Sequence, residues 1–235
     1  MQALMMKSQL MISNILKHAE KNFPNREIVS VTADNPRHRY TYKDLAFRTR
    51  QLANALESLG AEFGDRIGTL AWNDYRHLEL YYAISGSGMV CHTINPKLFP
   101  EQVTYIINHA QDRFIFVDVL VMPLVEALAS HLSDVEAFIV LTNKDNMPET
   151  ALENVLCYEE LIADKSSDFE WPEFDENSAS GMCYTSGTTG NPKGVVYSHR
   201  STLLHAFAGA LPDVTNSSCR ETCLPVVPMF HVNAW

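Results

Sequence analysis

No stretch of this chain approaches the run of about twenty apolar residues that a membrane-spanning helix needs, so none is expected. The Met-rich start, 1–16, has only short apolar runs, broken by Lys7, Ser8, Ser13 and Asn14, and lacks the form of a signal peptide. Basic charge is scarce as well. Lys and Arg total 18 against 28 Asp and Glu, a net charge of -10, and no long basic stretch occurs. Nucleic acid is therefore not an expected partner. An anionic nucleotide can still be held, but by local donors and not by the overall field. The five cysteines, at 91, 157, 183, 219 and 223, are scattered and odd in number, which does not outline a disulfide framework. Cys219 and Cys223 lack the second pair that a structural zinc site requires. Asn216-Ser217-Ser218 fits a glycosylation acceptor, a pattern that matters only in a secreted chain. Repeats and low-complexity tracts are absent. The expectation is a soluble cytoplasmic chain, with contact at a membrane surface left open.

What is present is apolar patterning. The chain has 235 residues, 46% of them apolar, enough for a large core in one domain or two. Ile12, Ile15, Leu16 and Ala19 share one helical face, and Asn22-Phe23-Pro24-Asn25 ends that helix. Glu27 to Thr32 reads as a strand. Thr41 and Asp44 have the spacing of an N-cap and its acidic partner, opening a helix whose stripe is Leu45, Leu52, Ala53 and Leu56 and whose stop is Gly60. Strand and helix then alternate: strand 66–71, helix 74–85 capped by Asn73, strand 89–94, helix 101–109 entered through Pro100, strand 114–118, helix 121–131, strand 137–141. Such alternation predicts an α/β fold of layered sheets with flanking helices and a largely parallel sheet. Residues 164–178 carry six acidic residues and one Lys, half of the net negative charge. They read as a solvated connector between two subdomains, or as a long surface loop within one domain. The expected division is an N-terminal helical arm, 1–24, a first α/β subdomain, 25–163, the connector, 164–178, and the start of a second α/β subdomain, 179–235. In that last part 181–185 and 194–198 read as strands, 200–211 as a helix and 222–227 as a further strand. Trp72, Tyr81 and Tyr82 read as core or interface aromatics.

Between the strands at 181–185 and 194–198 the chain runs Thr185-Ser186-Gly187-Thr188-Thr189-Gly190-Asn191-Pro192-Lys193-Gly194. Four hydroxyls, three glycines and a lysine fall within these ten residues. The glycines let the backbone turn and present N–H groups to an anion. The hydroxyls add donors, one of them able to ligate magnesium, and Lys193 adds positive charge. The loop is not a Walker P-loop, because Pro192 precedes the lysine and Gly194 follows it. On composition alone a flexible hairpin remains the alternative.

The string itself matches, at every specified position, the phosphate-binding signature Ser/Thr-Ser-Gly-Thr-Thr-Gly-x-Pro-Lys-Gly. The chain thereby resembles the adenylate-forming superfamily of acyl-CoA synthetases, peptide-synthetase adenylation domains and luciferases. Tyr40 to Leu45 and Gly64 to Ile67 resemble its early elements. His92-Thr93-Ile94-Asn95-Pro96-Lys97-Leu98 and Pro228-Met229-Phe230-His231-Val232-Asn233-Ala234-Trp235 are similar to segments of its medium- to long-chain fatty acid–CoA ligases.

The resemblance implies a reaction in which a carboxylate attacks the α-phosphate of ATP, pyrophosphate leaves, and coenzyme A then displaces AMP from the acyl-adenylate. Charge neutralisation and positioning should carry most of the catalysis. It implies roles by position. Thr185 would ligate Mg2+; Ser186, Gly187, Thr188, Thr189 and Gly190, with Lys193, would embrace the β- and γ-phosphates. His231 would orient the carboxylate or gate the site, Val232 would touch the adenylate, and Trp235 would gate the acyl tunnel. It also implies a homodimer through the N-terminal domain. The superfamily's adenine-binding motif, the acidic residue completing its magnesium site, its ribose-binding Asp and its mobile C-terminal domain with a catalytic Lys are not found in these 235 residues. The chain alone is therefore expected not to form acyl-CoA, and an apolar face and a sheet edge are expected to be exposed around 181–235. The alternatives are a catalytically dead nucleotide-binding module and a dimerisation module built on the arm at 10–20.

Overall fold

A computed structural model describes residues 1, 4–185 and 190–231. Helix α1 (Ser13–Asn22) leads into a small antiparallel hairpin, β1 (Glu27–Ser30) and β2 (His38–Thr41). Helix α2 (Tyr42–Ser58) opens on a capping box: the Thr41 hydroxyl accepts the Asp44 N–H at 3.3 Å and the Asp44 carboxylate accepts the Thr41 N–H at 2.9 Å. Strands and helices then alternate through β3 (Arg66–Leu70), α3 (Tyr75–Gly86), β4 (Val90–Thr93), α4 (Pro100–Ala110), β5 (Asp112–Val117), α5 (Met122–Leu128), β6 (Ala137–Val140), β7 (Val155–Cys157), α6 (Tyr158–Ala163), β8 (Ala179–Thr185), β9 (Lys193–Ser198) and α7 (His199–Ala210).

One seven-stranded sheet runs in the order β7-β6-β5-β3-β4-β8-β9. Every pairing is parallel except β8 with β9. The central strands β3, β4, β5 and β6 are buried on both faces, and their period of two sorts residues between two cores. Phe114 and Phe116 of β5 and Ile139 of β6 meet α2, α3 and α6 on one face. Ile115 and Val117, with Phe138 and Val140, meet α4 and α5 on the other. The result is a helix–sheet–helix sandwich, the α/β architecture that the alternation predicts.

Several local expectations differ from the structure. The cap of α3 is Asp74, whose carboxylate accepts the His77 N–H at 2.8 Å; Asn73 is turned to another task described below. The helix expected over 121–131 is α5 alone, with a short 3-10 turn on each side. Residues 222–227 form no strand: no neighbouring strand pairs with them, and Leu224 and Val226 are more than four-fifths exposed. The acidic stretch 164–178 is pinned as much as solvated. Trp171 is buried with its ring against Gly86, and backbone carbonyls of Lys165, Ser166, Ser167 and Asp168 accept hydrogen bonds from Gln51, Asn54 and Arg50 of α2. Beyond it, β8 pairs with β4, so the main sheet continues across this stretch.

The face of α1 that the sequence offers is used within the chain. Leu16 packs with Tyr40, Leu45, Ala46 and Trp171, and the Ile12 N–H donates to Nδ1 of buried His199 at 3.3 Å. Against the same α2–α3 layer lies a buried ionic network. Arg48 reaches both oxygens of Glu79 and both of Glu159, while Arg76 bridges Glu159 and Asp34. Apolar residues of the last part face outward, as expected: Val196, Leu204, Phe207, Leu211 and Val214 are all exposed.

Candidate functional site

The sheet itself selects one edge. β3 feeds α3 on one face, whereas its neighbour β4 feeds α4 on the other. The chain therefore parts between the C-terminal ends of β3 and β4, and open parallel sheets bind ligands in such crevices. Strand β8 lies parallel to β4 with Thr93 opposite Cys183, so Thr185, two residues on, stands at the same edge. The chain then turns and returns as antiparallel β9, with Tyr184 opposite Gly194 and Thr185 opposite Lys193. Directly opposed residues project on one face. The hairpin thus sets the Thr185 side chain and the Lys193 side chain, both on exposed residues, side by side at its mouth.

The turn between them fits anion binding where it is described. Gly190 holds φ at +118°, a conformation that L side chains rarely adopt, and among the described residues no atom would lie within 4 Å of a Cβ built there. A glycine is the residue that this conformation favours. Ser186, Gly187, Thr188 and Thr189 lie outside the described residues. At the base of the hairpin, Gly194 lets the Tyr184 ring close over the backbone; an added Cβ would lie 3.1 Å from Cζ of that ring. Tyr184 also shares a 2.7 Å hydrogen bond with His109 Nδ1 and tilts over His92, ring centroids 5.2 Å apart. Burial pushes its phenol up to about 12. His92 Nδ1 donates to the two oxygens of Asp112 at 2.9 and 2.7 Å, both side chains being fully buried. Burial raises the Asp112 carboxyl, opposed by the His92 beside it. The Nε2 of His92 has no hydrogen-bond partner among the described residues.

The second motif reaches the same edge. Met229 and Phe230 are buried over the ends of β3 and β4. The Met229 N–H donates to Asn73 Oδ1 at 2.6 Å, and the Met229 carbonyl accepts the hydroxyl of buried Tyr81 at 2.5 Å. The Phe230 carbonyl accepts the Thr93 hydroxyl at 3.3 Å, and its ring meets Trp72 edge-on at 5.6 Å. His231 follows on an exposed turn, its N–H donating to the Pro228 carbonyl at 2.9 Å. Thr93 is the common element, paired to β8 through its backbone and to the His231 segment through its side chain. Val232 and Trp235 lie outside the described residues.

Of the residues singled out by sequence, the structure brings Thr185, Gly190 and Lys193 into one hairpin mouth and seats His231 on the segment over the adjacent crevice. Asn73, Tyr184 and the His92–Asp112 pair were not singled out for the site. For His92 the available signal was its place in the 92–98 segment; for Asn73 it was the Asp74 beside it, which can cap α3 in its stead. A cavity of about 410 Å3, lined by Gly64, Gly88, Ala179 and Val196, opens at the other end of the strands, away from these motifs. Among the described residues no cluster of three or more His, Cys, Asp or Glu could hold a metal. None of the helices is long and apolar enough to cross a membrane, again among the described residues.

Comparison with known proteins places these features in context. The family model described as AMP-binding enzyme matches residues 16–235. The medium-chain-fatty-acid–CoA ligase of Ectopseudomonas oleovorans is 49% identical over 98% of this chain and 42% of its own length. A 3-methylmercaptopropionyl-CoA ligase of Ruegeria lacuscaerulensis is 52% identical over 98% of this chain and 43% of its own length. The chain thus spans less than half the length of these curated relatives. Among solved structures, a red-emitting luciferase of Phrixothrix hirtus superposes with a TM-score of 0.83 over 99% of this chain and 44% of its own, at 20% identity, which bears on the fold alone.

Proposed function

The chain belongs to the AMP-binding enzyme family, and from that premise we propose that it forms the phosphate-binding part of an ATP-dependent acyl–CoA ligase acting on a fatty acid or a related carboxylate. The observation that carries this reading is the antiparallel hairpin added to a parallel sheet, which sets Thr185 against Lys193 at the C-terminal edge beside the docked His231 segment. In the reaction the substrate carboxylate attacks the α-phosphate of ATP and pyrophosphate departs; the thiol of coenzyme A then attacks the acyl carbonyl and AMP departs. Two anions must be brought together in the first step, so the protein's contribution is donors and positive charge where negative charge concentrates. Lys193 faces the β- and γ-phosphates, with the N–H groups and hydroxyls of 186–190 around them.

Thr185 is a fitting ligand for Mg2+ bound to the nucleotide. Its hydroxyl stands at the hairpin mouth, where it donates to the Lys193 carbonyl at 3.4 Å and keeps its lone pairs for a cation; Mg2+ is commonly held by few protein groups, with phosphates and waters completing its shell. His231, at the end of the segment over β3 and β4, orients the carboxylate on its approach to the α-phosphate. Val232 lines the adenylate and Trp235 closes the acyl passage. The relatives are named for a medium-chain fatty acid and for a sulfur-containing short acid, so the acyl group is the part of the substrate that differs between them.

The test is carboxylate-dependent pyrophosphate release by the natural polypeptide carrying this sequence. ATP, Mg2+ and coenzyme A would be supplied with octanoate, palmitate or 3-methylmercaptopropionate in parallel. Turnover with at least one acid, and its loss in Lys193→Ala through a weaker grip on ATP, is expected. A charged hydrogen bond contributes about 1.5–3 kcal/mol, so the ATP KM should rise roughly tenfold to a hundredfold. ATP binding without turnover on any acid would instead identify a nucleotide-binding module, and the ligase reading would fall.

A further inference from the structure

Asn73 follows β3 at the crevice, and its side chain makes three hydrogen bonds to one distant segment. Nδ2 donates to the carbonyls of Pro225 at 3.2 Å and Val227 at 2.9 Å, and Oδ1 accepts the Met229 N–H at 2.6 Å. Both functions of one amide are thereby spent on backbone more than 150 residues away. The segment it holds has no ladder or helix of its own. From the end of α7 to Val227 the residues are exposed and irregular, and the chain regains burial only at Met229 and Phe230. Irregular backbone gains order only from partners outside itself. Here the partners are the Asn73 amide, the Tyr81 hydroxyl on the Met229 carbonyl and the Thr93 hydroxyl on the Phe230 carbonyl. Asn73 is free for this because Asp74, its neighbour, caps α3.

We infer that Asn73 is a positioning residue for the acyl half of the site: its amide clamps 225–229 and so fixes where the His231 turn presents itself at the switch-point crevice. The inference rests on the ligase reading above for its kinetic consequence, but the clamp itself does not. Among the described residues, Asn73 has no hydrogen bond to the β8–β9 hairpin; its bonds go to Pro225, Val227 and Met229. Loosening it should therefore separate the two substrates. Without the amide the His231 turn samples many placements, and the carboxylate loses its orientation while ATP retains its own site.

The experiment compares the natural polypeptide with Asn73→Ala and Asn73→Asp. The Asp variant keeps the acceptor for the Met229 N–H, removes both donors and sets negative charge against two carbonyls. Both variants are expected to lose about tenfold or more in kcat/KM for the carboxylate, with the ATP KM within about twofold of the parent. In both, trypsin is expected to cut faster at exposed Arg220, in the irregular stretch that leads into the clamped 225–229. Equal losses for both substrates together with a lowered melting temperature would make Asn73 merely structural and overturn the inference, as would unchanged kinetics with unchanged cleavage. If Asn73→Ala fails to fold, Tyr81→Phe, which removes only the hydroxyl held by the Met229 carbonyl, is read by the same two measurements. If the parent shows no ligase activity, the function proposed above fails, and the cleavage rate at Arg220 still decides whether the clamp exists.

Discussion

Replacing Arg48 with Met should destabilise the fold severely, and the size of the loss can be worked from its contacts. Arg48 donates to both oxygens of Glu79, at 2.7 and 3.2 Å, and to both of Glu159, at 2.9 and 3.1 Å. Glu79 has no exposed side-chain area, and its other partner is the Tyr158 hydroxyl at 2.5 Å. Glu159 is better placed to survive the change, since Arg76 and the Tyr75 hydroxyl still reach it. The damage therefore concentrates on Glu79, a carboxylate left in the interior without its cation. Removing one partner of a buried pair costs about 3–5 kcal/mol. For a domain of this size about 4 kcal/mol corresponds to a fall of roughly 8–16 °C in melting temperature. Thermal denaturation of the natural polypeptide, followed by near-ultraviolet circular dichroism, measures it.

Two controls make the reasoning refutable. Replacing both residues, Arg48→Met with Glu79→Met, removes the stranded charge, and a well-packed apolar pair is often neutral relative to the ion pair. The double variant should regain most of the lost stability. Burial already pushes the Glu79 carboxyl upward, with Arg48 opposing that rise. In Arg48→Met only the Tyr158 hydroxyl still opposes that rise, so the folded state takes up a proton before the unfolded chain does. The deficit of the variant should then shrink as pH falls towards the ordinary Glu value of about 4.3. A single variant that loses less than about 1 kcal/mol, or a double variant as unstable as the single, would refute the idea that Arg48 neutralises Glu79.

Three further outcomes are expected. Burial takes His77 and His199 down to about 4, so the unfolded chain binds protons near pH 6.5 while the folded one holds out. Stability should fall as pH drops from about 6.5 to 4; Asp74, raised by burial to about 7, works in the opposite sense over an overlapping range. His77→Gln, assayed by denaturant titration across that range, should reduce the acid slope by up to about 1.4 kcal/mol per pH unit. Asp74→Ala should cost about 1 kcal/mol through the lost cap of α3, seen as a drop of roughly 2–4 °C in melting temperature; an unchanged melt would deny Asp74 that role. Gly86→Ala would set a methyl 2.6 Å from the Trp171 ring, so the ring must leave its site. Faster proteolysis within 164–178 should follow, and unaltered cleavage there would mean that the Trp171 contact does not secure that stretch.

The layered α/β fold was legible because it rests on local signals. Alternating strand and helix patterns, the Thr41–Asp44 capping box and Pro100 at a helix start all act within a few residues. The hairpin mouth was legible too, since glycines, hydroxyls and a lysine crowd into ten residues. Features that depend on distant partners were not. Leu224, Val226 and Val227 resemble a strand in composition, but a strand exists only where a ladder receives it. The short strands β2 and β7 exist because β1 and β6 lie beside them. Arg48 meets Glu79 and Glu159 across 31 and 111 residues of sequence, and His92 finds Asp112 across 20. No periodicity carries such information. Asn73 and Asp74 illustrate the same limit at short range: either can cap a helix, and only the segment from 225 to 229 decides between them.

The pairing of β8 with β4 also sets an order of assembly. As the chain emerges during synthesis, β3 to β7 are all present once residue 157 has appeared, and their parallel pairings can form then. The slot beside β4 stays vacant until β8 arrives, about ninety residues after its partner strand, a closure that carries a slow entropic cost. Throughout that interval β4 is an open border of unpaired amides, available to any other extended chain nearby. The arrival of the hairpin pairs β4 and moves the open edge out to the six-residue β9. The residues proposed to hold the triphosphate thus sit on the piece that shields the nascent sheet from aggregation, and damage to β8 should lower the yield of soluble protein even where ATP is never bound.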